Sequence, residues 1–193
     1  IVINKIIKKS NHKFEYIDLG GGMGIDYEHN NNKFNLKKYS LDIQKFLKKN
    51  NSKIIFEPGR SIIGNTAILV SKIIYIKKGY KKDFVILDSA MNDLIRPALY
   101  NTAHKIIPLK KNKISGKKSY EFVGPICEST DKFATIRKFQ KLYEKEFIAI
   151  CDVGAYGTSL SSNYNVRPKP MEILIKSSKI QIIKKRQKLS ELM

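Results

Sequence analysis

YIDLGGGMGI, residues 16–25, runs a short apolar stretch into three consecutive glycines, Gly20, Gly21 and Gly22. Such a run loses much conformational entropy on ordering, so a fold that keeps it uses the bare backbone. Consecutive N–H groups at a strand end can surround an anion, and glycines also let a neighbouring segment approach closely. The residues alone leave both readings open. FEYIDL, 14–19, reads as a buried strand, and LKKYSLDIQKFLKK, 36–49, has apolar residues at 36, 39, 43, 46 and 47, the spacing of a helix. KIIFEPGR, 53–60, reads as a second strand stopped by Pro58 and Gly59. Strand, helix, strand is the βαβ pattern of a parallel sheet, whose ligands gather at the carboxyl ends of the strands. Both glycine-bearing stretches lie at such ends.

From about residue 66 the texture changes to short β-rich runs, AILVSKIIYIKK, DFVILDSA, SYEFVG, EFIAICDVGA and MEILIKSSKIQIIKK, separated by turn-prone or lysine-rich connections. These predict a mainly antiparallel β domain, with the boundary near Gly64. The expected organisation is therefore an α/β part over 1–64 and a β domain over 65–193. The first part is too short for a closed barrel, which takes about 250 residues. It matches the last units of one, and since residue 1 is Ile, the expectation is a C-terminal piece of a longer protein.

A formal net charge of +20 raises nucleic acid as a partner. Of the 37 basic residues 32 are lysines, scattered in pairs among Ile and Asn rather than gathered with aromatics, which fits a solvated surface instead. No apolar run approaches the roughly 18 residues of a membrane span, and the opening residues lack the pattern of a secretory signal, so the expectation is a cytoplasmic protein with no membrane partner. Cys127 and Cys151 are then expected as thiols. Arg60, Arg96 and Arg167 stand out because each sits in a low-charge stretch with Gly or Pro, where a planar fork can grip carboxylate or phosphate.

The polar residues of the second part collect in turns. DSAMNDLIRPALY, 88–100, holds Asp88, Asn92, Asp93 and Arg96; VGPICESTDKFA, 123–134, holds Cys127 and Glu128; CDVGAYGTSLSSNYNVRPKP, 151–170, holds Tyr156 between small residues. Charge, thiol and tyrosine on loops of a rigid sheet indicate function. EPGR presents Glu57 and Arg60 around a Pro-Gly turn, and its simplest reading is a local ion pair.

GGGMGI, EPGR, DSAMNDLIRPALY, GPICESTD and GAYG…SNYNVRPKP, in that order over residues 16 to about 175, resemble the C-terminal part of the diaminopimelate decarboxylases, within the pyridoxal-phosphate-dependent ornithine/diaminopimelate/arginine decarboxylase family of alanine-racemase-like fold. The resemblance implies a pyridoxal-phosphate-binding TIM-type (β/α)8 barrel followed by an antiparallel β domain, and decarboxylation of meso-2,6-diaminopimelate to L-lysine, the last step of lysine biosynthesis. It implies that Gly20, Gly21 and Gly22, helped by Gly59 and Arg60, hold the cofactor phosphate, with Pro58 also at the cofactor. Glu57 faces the pyridine nitrogen, keeping it protonated and the ring a stronger electron sink. Arg60, Arg96 and Tyr100 meet the substrate carboxylate, and Tyr156 contacts cofactor and substrate. Cys127 protonates the carbon that CO2 leaves, Glu128 binds the distal amino group, and both reach into the partner's site of a homodimer. No metal is implied.

The resemblance has gaps. The family's cofactor-bearing lysine, in a YAxKAN-like motif, has no counterpart in this sequence, and nor does the histidine that stacks on the cofactor. The chain alone is therefore expected to be inactive. Ornithine, arginine and carboxynorspermidine decarboxylases share the cofactor motifs, but CEST favours diaminopimelate over the acidic CDG-like turn expected of the diamine-forming enzymes. A catalytically silent relative is the alternative from another class.

Overall fold

A computed structural model of the chain describes residues 2–111 and 117–193. It contains two compact units, Ile1–Asp26 with Asn30–Ile62, and Tyr27–His29 with Ile63–Met193.

In the first unit, helix α1 (Val2–Ser10) precedes strand β1 (Tyr16–Asp18), helix α2 (Leu36–Leu47) and strand β2 (Lys53–Ile55). α2 forms where the apolar spacing predicts it, and the Asn35 side chain caps it by accepting the Lys38 N–H. β1 and β2 pair in parallel with Ile17 opposite Ile54, which is the expected βαβ unit. The expectation of a buried strand is corrected: Tyr16 is 52% exposed and β1 alternates exposed, half-buried, exposed. Among the described residues β1 and β2 make a sheet of two strands only, so neither has a second neighbour to cover it. Helix α3 (Gly59–Ile63) follows β2 through Pro58.

The second unit is built on a six-stranded sheet in the order β5-β8-β3-β4-β6-β7. Its strands are β3 (Leu69–Lys77), β4 (Asp83–Leu87), β5 (Ile106–Pro108), β6 (Lys117–Val123), β7 (Lys132–Gln140) and β8 (Phe147–Ile150). All pairs are antiparallel except β4 with β6. β5 and β7 are strands the sequence reading passes over, β5 because it is three residues ending in Pro108, β7 because KFATIRKFQ alternates with charges on its open face. The alternating side chains of β4, with Val85 and Leu87 fully buried, pack with Ile73, Tyr120, Phe122 and Ile148 into one core. Buried acids on this sheet are clamped by lysines: Asp83 by Lys78 and Lys118, Glu121 by Lys82 and Lys132. β9 (Glu172–Lys176) and β10 (Lys179–Lys184) form a separate hairpin.

This topology places the functional loops. β8 is antiparallel to β3 and β3 to β4, while β4 and β6 are parallel, so β4, β6 and β8 all point the same way. Their carboxyl ends, which lead into the loops bearing Arg96, Cys127 and Tyr156, therefore leave the same edge of the sheet.

Candidate functional site

The glycines of the first unit serve two purposes. Gly20 and Gly22 have φ of 65° and 77°, left-handed backbone that other residues adopt only with strain, and the space where a Cβ would sit is open for 4 Å around both. Gly21 is the close approach, because a Cβ there would collide with the Glu57 carbonyl oxygen. The Glu57 N–H donates to the Gly20 carbonyl at 2.8 Å, and the Gly59 N–H to the Glu57 carbonyl at 2.9 Å. The two motifs GGGMGI and EPGR are thus hydrogen-bonded to each other at the ends of paired parallel strands, with Glu57 exposed and Arg60 half-buried. The open side of a left-handed glycine loop fits a phosphate, whose oxygens take N–H donors without side-chain interference.

In the second unit, helix α4 (Arg96–Tyr100) sets Arg96 and Tyr100 one turn apart, so the two side chains meet. Arg96 is 3% exposed, and its guanidinium lies 5.0 Å from the Tyr27 ring centre, 5.7 Å from that of Tyr156 and 5.9 Å from that of Tyr100. Three tyrosine faces thus surround one buried cation. Among the described residues Arg96 makes no salt bridge, and its Nε is buried without a hydrogen-bond partner. Tyr156 stands in the left-handed region at φ 59° between buried Ala155 and Gly157, a placement that costs about 1–2 kcal/mol for a non-glycine residue. Strain of this kind collects at working sites.

Two residues of this cluster escape the sequence reading. Tyr27 follows the glycine motif closely yet packs with the second unit, its carbonyl accepting the Lys105 N–H at 2.9 Å. His104 is 4% exposed; its Nδ1 donates to the Cys151 carbonyl at 2.9 Å, leaving Nε2 as the unprotonated nitrogen, and its ring meets Tyr27 edge-on at 4.8 Å. Burial, joined by the Arg96 charge, pushes the His104 pKa below its ordinary value, so the imidazole is neutral beside the guanidinium. His29 adds a contact to Asp152 at 2.7 Å.

Several polar residues of the turns prove to be internal braces. Arg167 does not present its fork to an anion: its Nε donates to the Asn92 side-chain oxygen at 3.1 Å and its Nη2 to the Asp88 carbonyl at 2.6 Å. Asp88 in turn accepts from the Ser71 hydroxyl and the Lys72 N–H, and Asp93 accepts the Ala90 N–H. These residues fix the path from β4 to Arg96. Both cysteines are free thiols, Cys127 exposed and Cys151 buried, and burial pushes the Cys151 thiol up. Cys127 and Glu128 occupy the turn from β6 to β7, with Glu128 half-buried.

Over 173 residues the chain is 39% identical to a diaminopimelate decarboxylase of Aquifex aeolicus, covering 90% of this chain and 41% of that protein. It is 40% identical over 190 residues to one of Zymomonas mobilis, covering 97% of this chain and 44% of the relative. A crystal structure of diaminopimelate decarboxylase from Helicobacter pylori complexed with L-lysine superposes with a TM-score of 0.85 at 38% identity, over 99% of this chain and 47% of that one. The chain thus spans less than half the length of these relatives. The family model for the C-terminal sheet domain of the pyridoxal-dependent decarboxylases matches residues 2–154, and the chain belongs to that family.

Proposed function

We propose that this chain is the C-terminal part of an enzyme that removes CO2 from meso-2,6-diaminopimelate to leave L-lysine, with pyridoxal phosphate as cofactor. The observation that carries the reading is Arg96: an almost wholly buried residue, its guanidinium bordered by tyrosine faces and, among the described residues, without a carboxylate partner. Burying a charge is costly unless an opposite charge meets it, and the α-carboxylate of an amino acid supplies one.

On this reading residues 1–64 are the last units of a (β/α)8 barrel, supported by the parallel β1–α2–β2 unit, and 65–193 form the β domain. Gly20, Gly21, Gly22, Gly59 and Arg60 hold the cofactor phosphate, with Pro58 also bordering the cofactor, and the left-handed backbone of Gly20 and Gly22 fits that task. Pyridoxal phosphate, when bound, supplies the electron sink for the pair released with CO2. Glu57 pairs with the protonated pyridine nitrogen. Arg60 and Arg96 orient the substrate carboxylate, Tyr100 and Tyr156 border it, and Glu128 takes the far ammonium. Cys127 delivers its Sγ proton to the carbon that has lost CO2. The exposure of Cys127 supports a role across a homodimer interface, in the site of a second copy. Among the described residues no helix is long and apolar enough to cross a membrane, and we place the enzyme in the cytoplasm.

The test is CO2 release from meso-diaminopimelate, ornithine and arginine, with added pyridoxal phosphate, by an enzyme of the relatives' full length that contains this chain. Turnover of diaminopimelate at least about 100-fold above the other two, a gap of roughly 3 kcal/mol, is expected. Preference for ornithine or arginine, or no turnover of any of the three, overturns the reading. The 193-residue chain by itself is expected to show none.

A further inference from the structure

We infer that Asp131 is the positioning residue of the Cys127–Glu128 turn, an inference that rests on the functional reading of those two residues. Asp131 is 4% exposed, and its carboxylate is shared between two loops. Oδ1 accepts the Met91 N–H at 2.7 Å, from the loop after β4, and Oδ2 accepts the Ile126 N–H at 2.8 Å, directly before Cys127. The backbone of the turn closes around the same residue: the Asp131 N–H donates to the Glu128 carbonyl at 3.0 Å, the Gly124 N–H to the Asp131 carbonyl at 3.0 Å, and the Glu128 N–H to the Ile126 carbonyl at 2.8 Å. Gly124 is bare for this reason, since a Cβ there would run into both carboxylate oxygens.

The carboxylate thereby fixes the turn to the loop that leads to Arg96. β4 and β6 are parallel neighbours, so Met91 and Ile126 emerge side by side, and one carboxylate bridges them. Charge-assisted bonds of this length are among the stronger ones and are directional, so they set a place as well as an energy. Asparagine has the same shape but offers one acceptor oxygen, and its amide would point N–H at N–H on the other side.

The experiment uses Asp131→Asn with two readouts. On the 193-residue chain, amide exchange at Met91 or Ile126 and alkylation of the exposed Cys127 thiol are compared with the parent. In an enzyme of full length, kcat is measured with and without Cys127→Ser, as a double-mutant cycle. Exchange about 10-fold faster at one of the two amides, a changed Cys127 alkylation rate, and a kcat loss of about 10-fold that shrinks below about 3-fold in the Cys127→Ser background support the inference. Unchanged amides and alkylation overturn it, as does a kcat loss of equal size in both backgrounds. A Cys127→Ser enzyme with full kcat defeats the proton-donor reading instead, and the amide and alkylation readouts then decide on Asp131 alone. If Asp131→Asn does not fold, Gly124→Ala displaces the carboxylate without removing it and is expected to move the same readouts.

Discussion

The Arg96 guanidinium lies over the Tyr27 ring, 5.0 Å from its centre, although the two residues are far apart in the chain. The ring face offers a cation partial compensation without consuming its hydrogen-bond donors, which leaves the planar fork available to a carboxylate. Lysine keeps the charge and loses the fork. Arg96→Lys in a full-length enzyme should therefore raise KM for diaminopimelate by about 100-fold, corresponding to roughly 2–3 kcal/mol of charge-assisted bonding. Tyr27→Leu keeps apolar bulk and removes the π face, so it should cost about 1 kcal/mol and about 5-fold in KM. Equal effects of the two substitutions would show that packing, not the fork, decides.

Gly21 and Gly22 are adjacent and should fail differently when substituted. Alanine at Gly21 meets the Glu57 carbonyl and forces the two loops apart, an overpacking cost of about 1–3 kcal/mol. Alanine at Gly22 finds open space and suffers only from its φ of 77°, about 1–2 kcal/mol. In full-length enzyme Gly21→Ala should also displace Glu57 and weaken cofactor retention, read by its absorbance after dialysis. Gly22→Ala should lower thermal stability by a few degrees.

The element types around these sites are legible in the sequence because periodicity and turn residues speak for local structure. The helix at 36–47, the strand ending before EPGR and most strands of the larger sheet follow from apolar spacing. What the sequence hides is long-range partnership. Nothing local distinguishes Arg96, which has no carboxylate partner among the described residues, from Arg167, whose fork is consumed by Asn92 and Asp88. Tyr27 and His104 look like ordinary loop residues until the fold brings their rings together. Asp131 reads as one more polar residue of a turn, since its two N–H partners come from different loops that the parallel pairing of β4 and β6 brings side by side.

His104 gives the chain a pH-dependent stability of definite sign. Burial lowers its folded pKa below the unfolded value, so the unfolded chain takes up the proton first as the solution is acidified. The stability from the neutral ring is complete above the unfolded pKa of about 6.5 and is lost as pH falls from there through the folded pKa. Urea unfolding between about pH 7.5 and pH 5 should show stability declining toward acid, and His104→Gln, which does not titrate, should flatten the decline. A parent chain equally stable across this range would contradict the neutral, buried imidazole.

Glu128 carries the choice of substrate in the proposed reaction, because diaminopimelate differs from simpler amino acids by a second charged centre at its far end. Its backbone is held on both sides, by Ile126 and by Asp131, while the residue is half-buried and its carboxylate, among the described residues, accepts a single long contact of 3.4 Å from the Ser129 hydroxyl. That leaves its oxygens able to take an ammonium. An ammonium stripped of water and left without its carboxylate costs several kcal/mol, whereas a pair at an exposed rim contributes about 1 or less. Glu128→Gln keeps the shape and removes the charge, so kcat/KM for diaminopimelate in a full-length enzyme should fall by about 100-fold, or roughly 3 kcal/mol. Cofactor absorbance should be unchanged, since the reading gives Glu128 no contact with it. A loss under about 5-fold would place Glu128 at the rim and move selection of the far amino group to another residue.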